Sequence, residues 1–279
     1  MALDGEAIDG IYCLLQDSHG GELYRREGIG THEVFEWLLM RQNELETDTE
    51  KPVFVGFGTS YDCNMFMRDL GDETLTQILQ QEEKEFVAWE GWEILYFPRK
   101  LLRLRRDGES FVLYDVQSFF GGTFVRAVEG FLGDVPGMGI IRTGKAARGR
   151  FKAKDLDKIR RYNQRECQLL VMLADRLKTM FQAQQIQLTK WHGPGAVADY
   201  ILGKKGFNVH EDFPVLTEQN TPTGLWQAWD CAYYGGRIET FILGSASQVY
   251  TYDINSAYPK AASLLPILSP KGVDTPHKT

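Results

Sequence analysis

The chain is poor in cysteine, and what it has is dispersed. Cys13, Cys63, Cys167 and Cys231 form no close pair. That spacing speaks against a disulfide scaffold or a structural zinc site and for a reducing compartment. Long apolar runs are missing, so no bilayer-spanning segment and no membrane partner are expected. The first residues, Met1-Ala2-Leu3-Asp4-Gly5-Glu6, lack the basic flank and apolar core of a signal peptide. A cytoplasmic protein is therefore expected. Internal repeats and low-complexity tracts are absent. Excess positive charge is absent too, with 31 Lys and Arg against 38 Asp and Glu and a net charge of -7. A negative total does not advertise nucleic-acid binding. It leaves room for a local basic groove, because carboxylates gathered for metals lower the sum.

The 279 residues suffice for one large domain or two ordinary ones. Alternation predicts a strand through Glu6 and a second over 10–16, with a hairpin turn at Ser18-His19-Gly20-Gly21 and a third strand from Glu22. Thr31 is expected to cap a helix carrying Val34, Trp37, Leu38 and Leu39. The apolar run 52–58 reads as a buried strand leading into a helix from Cys63 to Leu70, and another helix is expected over 72–83. Strands are predicted at 94–97, 100–105 and 110–115, the last two joined by the hairpin signal Asp107-Gly108. Helix is expected over 119–131, a mobile loop over 142–154, and a long helix over 156–187 with Ile159, Cys167, Leu169, Leu170, Leu173 and Leu177 on its apolar faces. Short helices are expected at 196–202 and 225–229. Near the end, 249–252 reads as a strand that delivers Asp253 to its tip, a rigid seat for a divalent metal. The layout is α/β with a mixed sheet.

Carboxylates recur in a pattern suited to metals. Two metal ions held roughly 4 Å apart can clamp the attacking and leaving oxygens of a phosphodiester, and holding them takes several converging carboxylates. Asp4 and Glu6 share one face of a strand, because side chains alternate. Asp62 falls at the end of another predicted strand, where it enters a helix. Tyr162 and Glu166 lie four apart on one helix face. Each has a plainer explanation: a solvated strand face for Asp4 and Glu6, a helix cap for Asp62, a helix surface for Tyr162 and Glu166. Asp115, after Tyr114 at another strand end, is the rival carboxylate and reads as a turn or cap residue.

In combination these residues resemble a known family. Asp253-Ile254-Asn255-Ser256-Ala257-Tyr258-Pro259 is similar to motif A of family B DNA polymerases, Asp-x-x-Ser-Leu-Tyr-Pro, with Ala257 at the leucine. Tyr233-Tyr234-Gly235-Gly236, followed by Arg237, resembles the Tyr-x-Gly-Gly motif that joins exonuclease and polymerase in that family. Asp4-x-Glu6, Tyr61-Asp62 and Tyr162-x-x-x-Glu166 resemble the three motifs of its DEDDy proofreading exonuclease. The asparagine usual before the second aspartate is not evident, and Glu166 stands where the family has Asp. The resemblance implies an RNase H-like mixed sheet with flanking helices over 1–190, a connector over 191–236 and the start of a polymerase palm over 237–279. It implies that Asp4, Glu6, Asp62 and Glu166 bind two Mg²⁺ or Mn²⁺ ions, and that Tyr162 orients water and phosphate. Asp253 would bind metal in the palm, and Asn255, Ser256 and Tyr258 would meet the nucleotide, Tyr258 crowding its 2′ position. The later fingers and palm motifs do not follow, so no templated synthesis is expected from this chain.

Basic side chains suggest where a strand would lie. Arg103 and Arg105 share one face of a predicted strand, and Lys145, Arg148, Arg150 and Lys152 cluster before the Tyr162 helix. A phosphate grip and a solvated surface both account for them. Tyr61, Tyr233, Gly235, Gly236 and Arg237 join them as candidate DNA contacts. The tryptophans and His192 read as packing residues. The expected partners are the single-stranded 3′ end of DNA, a template-primer, and a priming protein or the missing polymerase half. The expected activity is a metal-dependent 3′–5′ exonuclease on single-stranded DNA. A fragment that binds DNA or a priming protein without chemistry is the alternative.

Overall fold

A computed structural model describes residues 1–47, 51–81 and 85–206, with isolated positions between 260 and 273. Two compact units divide the chain, Met1–Lys205 and Gly206–Thr279. In the second, the described residues include a two-residue antiparallel pair, Leu268–Ser269 with Gly272–Val273. The segments 225–229, 233–237 and 249–259, with Asp253, Asn255, Ser256 and Tyr258, lie outside the described residues, as does Cys231.

The first unit opens with a meander, β1 Leu3–Ile8, β2 Ile11–Asp17 and β3 Glu22–Tyr24. Helix α1 Thr31–Leu45 follows, then β4 Phe54–Gly56, α2 Ser60–Phe66 and α3 Asp72–Gln80. Strands β5 Val87–Trp89, β6 Trp92–Phe97, β7 Leu101–Arg106 and β8 Glu109–Asp115 come next. Helices α4 Gln117–Phe120, α5 Phe124–Leu132, α6 Met138–Ala147, α7 Leu156–Ala183 and α8 Pro194–Lys204 complete it. The unit thus runs past residue 190 to include α8.

Two sheets, β1-β2-β3 and β4-β8-β7-β6-β5, are joined by a parallel bridge between Ala2 and Val55. The order across both is β3-β2-β1-β4-β8-β7-β6-β5. β4 runs parallel to β8, and every other ladder is antiparallel, so the sheet is mixed. Alternation sends side chains to two cores. Leu3, Leu15, Phe54 and Leu113 pack with Phe35, Leu38 and Phe66 on the side of α1 and α2. Ala2, Leu14, Val55 and Tyr114 pack with Val128, Ile141, Leu169 and Leu173 on the side of α5, α6 and α7. Each apolar residue expected on α7 is buried. None of the described helices is long and apolar enough to cross a membrane.

Local chemistry explains where the sequence expectations hold and where they move. Asp107 and Gly108 take φ of 50° and 85°, the doubly positive pattern of a tight hairpin. Thr31 is not the cap of α1: Gly30 holds that place, and Thr31 exchanges hydrogen bonds with Asp69 instead, its N–H to Oδ2 at 2.7 Å and its Oγ1 from the Asp69 N–H at 3.1 Å. The single helix expected over 119–131 is two, α4 and α5, broken where Gly121 and Gly122 take φ of 54° and 138°. The expected loop over 142–154 is the end of α6, a Gly149 turn and a 3-10 turn at Ala153–Asp155. Cys13, Cys63 and Cys167 are buried free thiols. Trp92 is buried against Phe35, and Trp191 lies on Phe181, as packing residues should.

Asp115 is a turn and cap residue. It ends β8 and accepts from the N–H of Gly58 at 2.9 Å, of Thr59 at 2.8 Å and of Gln117 at 3.0 Å. It therefore fastens the β4–α2 turn that carries Asp62. Asp115→Ala strands buried donors and is expected to cost about 2–4 kcal/mol, read as a lowered urea midpoint with unchanged slope.

Candidate metal centre

Three elements meet around the end of β1. Asp4 and Glu6 project from one face of β1 toward α7, which brings Tyr162, Asn163 and Glu166. Asp62 arrives from the opposite core, in the first turn of α2 and not at a strand end. Its helix starts three residues earlier than the sequence suggests. Asp4, Glu6 and Glu166 each offer an oxygen, and these lie within 4.8 Å of one another. Glu6, Asp62 and Glu166 are buried, and Asp4 is nearly so.

Glycine lets Asp62 approach. Gly5 faces the α2 side, and the space a side chain would fill is taken by the hydroxyl of Tyr12. That hydroxyl donates to Asp62 Oδ1 at 3.0 Å. On the α7 side, Asn163 Nδ2 donates to the Asp4 carbonyl at 3.1 Å and ties the helix to the strand. Tyr162 packs its ring against Gly144 of α6, where a Cβ would collide with it, and against Phe151. A cavity of about 590 Å³ opens beyond this ring, between α6 and α7.

Two cations cover the carboxylates. Arg148, just after α6, donates from Nε to Glu6 at 2.6 Å and from Nη2 to Asp4 at 3.1 Å. Lys145 pairs with Glu166. Even so, one Glu166 oxygen, Oε2, and the Tyr162 hydroxyl are buried with no hydrogen-bond partner among the described residues.

Burial dominates the electrostatics. It lifts Asp4 well above the usual carboxylate range, with the Glu166 charge adding to it and Arg148 opposing. It lifts Glu6 as well, against the pull of Arg148. Asp62 is pushed up to about 7, by burial first and with Glu6 adding to it. Burial and the Glu166 charge raise the Tyr162 phenol, which therefore stays protonated at any working pH. Carboxylates crowded in this way gain from a cation that shares them. The free oxygen of Glu166 and the oxygen-only donor set suit a hard ion such as Mg²⁺ or Mn²⁺.

The structure places the expected site residues among the described ones differently. Asp4, Glu6, Asp62, Tyr162 and Glu166 come together. Tyr61 lies beside them, 54% exposed, with its ring 6.2 Å from that of Tyr12. Lys145 and Arg148 belong to the site itself. Arg150 and Lys152 point elsewhere, to the Ala146 carbonyl and to Asp9. Arg103 and Arg105 lie on β7, which is separated from β1 by β8 and β4. Sequence reasoning missed Tyr12, Gly5 and Asn163. The small residue inside Asp4-x-Glu6 and the polar neighbour of Tyr162 were the only signals for two of them.

The chain matches no protein-family model, no curated protein and no solved structure.

Proposed function

We propose that this chain is a metal-dependent 3′–5′ exonuclease acting on single-stranded DNA, related to the proofreading domain of family B DNA polymerases. The observation that carries the reading is the convergence of Asp4, Glu6 and Glu166, with Asp62 and Tyr162 beside them, from a strand and two helices far apart in sequence. The strand order supports an RNase H-like assignment: a three-stranded meander whose first strand lies parallel to β4, itself parallel to β8. The polymerase relationship, including a connector over 191–236 and a palm segment around Asp253 and Tyr258, rests on sequence motifs alone. So do the expected DNA and priming-protein partners.

In this reading Asp4, Glu6, Asp62 and Glu166 would hold the ions. When bound, the metal supplies positive charge to the scissile phosphate and activates the attacking water. The protein's own groups do the positioning. β1 and α7, tied by Asn163, fix the direction of three carboxylates, and Tyr12 fixes Asp62. Tyr162, held protonated and walled by Gly144 and Phe151, offers an O–H to the phosphate or the water. Tyr61, exposed at the rim, offers a face on which a base can stack.

A 3′-labelled oligonucleotide incubated with Mn²⁺ or Mg²⁺ should release labelled mononucleotide, and Glu6→Gln should stop it. Release that persists unchanged in Glu6→Gln, or no release at all, overturns the assignment. A second reading has its own observation: Lys145 and Arg148 already neutralise part of the carboxylate charge. It describes a DNA-binding chain without chemistry. Oligonucleotide binding that survives excess chelator, with no degradation in metal, selects it.

A further inference from the structure

We propose that Arg148 is an internal competitor for the metal: it occupies Asp4 and Glu6 in the metal-free protein, yields them to an incoming divalent ion, and then turns to the phosphate of the bound strand. This inference rests on the metal reading above.

The geometry gives Arg148 two places to be. Its guanidinium uses Glu6 Oε1 at 2.6 Å and the Asp4 carboxylate at 3.1 Å. Those carboxylates belong to the trio within reach of a single ion. An oxygen coordinating Mg²⁺ or Mn²⁺ sits at roughly 2.0–2.2 Å from the metal, so an ion that takes Glu6 Oε1 and the Asp4 carboxylate contests the oxygens the guanidinium fork now holds. On those oxygens one of the two gives way. The carboxylates are fixed, at 12% and 3% side-chain exposure on β1, whereas the Arg148 side chain is 38% exposed at the mouth. Arginine has a long side chain and needs no backbone movement to swing outward.

The backbone around it is held. Gly144 lies under the Tyr162 ring on one side. On the other, the Asp9 N–H donates to the Phe151 carbonyl at 2.9 Å, and Asp9 accepts from the Ala153 N–H at 3.0 Å. The guanidinium can therefore leave while its Cα stays beside the site. Two positive charges, Arg148 and Lys145, facing four carboxylates are also a poor match, and a divalent ion in the place of one of them compensates more of the charge. Once released, the planar fork is the group best shaped for a phosphate. Metal then precedes substrate, because only the metal-bound site presents Arg148 to DNA.

The test is Mn²⁺ titration of the full chain by calorimetry, with Arg148→Gln, Arg148→Lys and Arg150→Gln beside the parent, and thermal unfolding of each in chelator. Hydrogen bonds between charged groups set the scale of the competition. Arg148→Gln should bind Mn²⁺ about tenfold to a hundredfold tighter than the parent, although its metal-free form melts lower. Arg150→Gln removes a charge from the same segment without touching the carboxylates, and should bind Mn²⁺ within about threefold of the parent. Arg148→Lys keeps the charge and loses the fork, and should fall between parent and glutamine; it carries the test where the glutamine protein does not fold. If the Arg148 variants bind Mn²⁺ no tighter than the parent while Glu6→Gln abolishes binding, competition is overturned and the metal site stands. If neither the parent nor any Arg148 variant binds Mn²⁺, the metal reading falls and the inference falls with it.

Discussion

Replacing Asp62 by asparagine is expected to remove nucleotide release and, in the metal-free protein, to raise the unfolding temperature. The two effects share one cause. Asp62 is buried, supported by the Tyr12 hydroxyl, and pushed up to about 7. On the proposed reading its carboxylate helps hold a metal worth several kcal/mol to the transition state, so release should drop roughly a thousandfold. In chelator the same carboxylate is a liability. Its folded-state value lies above the ordinary aspartate value of about 3.9, so the folded protein binds its proton more tightly than the unfolded chain does. The stability Asp62 contributes is fully present below about pH 4. It is lost as pH rises through about 7. Asp4 and Glu6, shifted in the same direction, steepen that loss. Asparagine keeps an acceptor for Tyr12 and removes the charge. Melting curves in chelator between pH 5 and 8 should fall with pH for the parent, fall less for Asp62→Asn, and separate by several degrees at pH 8. Parallel curves would falsify the account of Asp62 as a buried, repelled carboxylate.

The second large effect is expected at a residue with no side chain. Gly5→Ala adds one methyl group on the strand between two proposed ligands. That methyl would fall inside the Tyr12 hydroxyl. Either β1 shifts, which moves Asp4 and Glu6, or Tyr12 shifts, which releases Asp62. Overpacking of this kind costs about 1–3 kcal/mol, and a displacement near 1 Å at the reacting centre costs on the order of a hundredfold in rate. Both losses should appear together, in urea unfolding and in nucleotide release. An alanine protein with parental stability and activity would show that the Tyr12–Asp62 contact does not position the site. Tyr12→Phe separates the two effects: it removes the hydrogen bond without a clash, so its stability loss should be smaller than that of Gly5→Ala.

Much of this was readable in the linear chain, for identifiable reasons. The meander, the Asp107-Gly108 hairpin and the apolar face of α7 carry strong local signals: alternation, a turn that demands positive φ, and a helical period sustained for 28 residues. The five residues expected at the exonuclease site meet in space because their spacing sets each on a defined face. Helix α6 was illegible because its composition argues against it. Gly144 reads as part of a loop over 142–154, yet it is required where α6 crosses the Tyr162 ring. Arg148 and Lys145 read equally as a phosphate grip or as solvated charges, since nothing local announces that their partners lie 142 residues back at Glu6 and 21 residues ahead at Glu166. Tyr12 was hidden for the same reason: it is one of 12 tyrosines, and its partner is 50 residues away.

The long reach between β1 and α7 has a consequence for how the molecule assembles. Asp4 and its helical partners are separated by about 160 residues of chain, as the Asn163 bond to the Asp4 carbonyl shows. Contacts of such separation close late in folding, after local hairpins and helices exist. The repulsion that Glu166 adds is therefore deferred until α7 seats on the sheet. Lys145 and Arg148 sit in the segment immediately before α7, so they travel with Glu166 and arrive at that same moment. The order of residues along the chain places the neutralising charges next to Glu166, so the segment that adds the fourth carboxylate also brings Lys145 and Arg148.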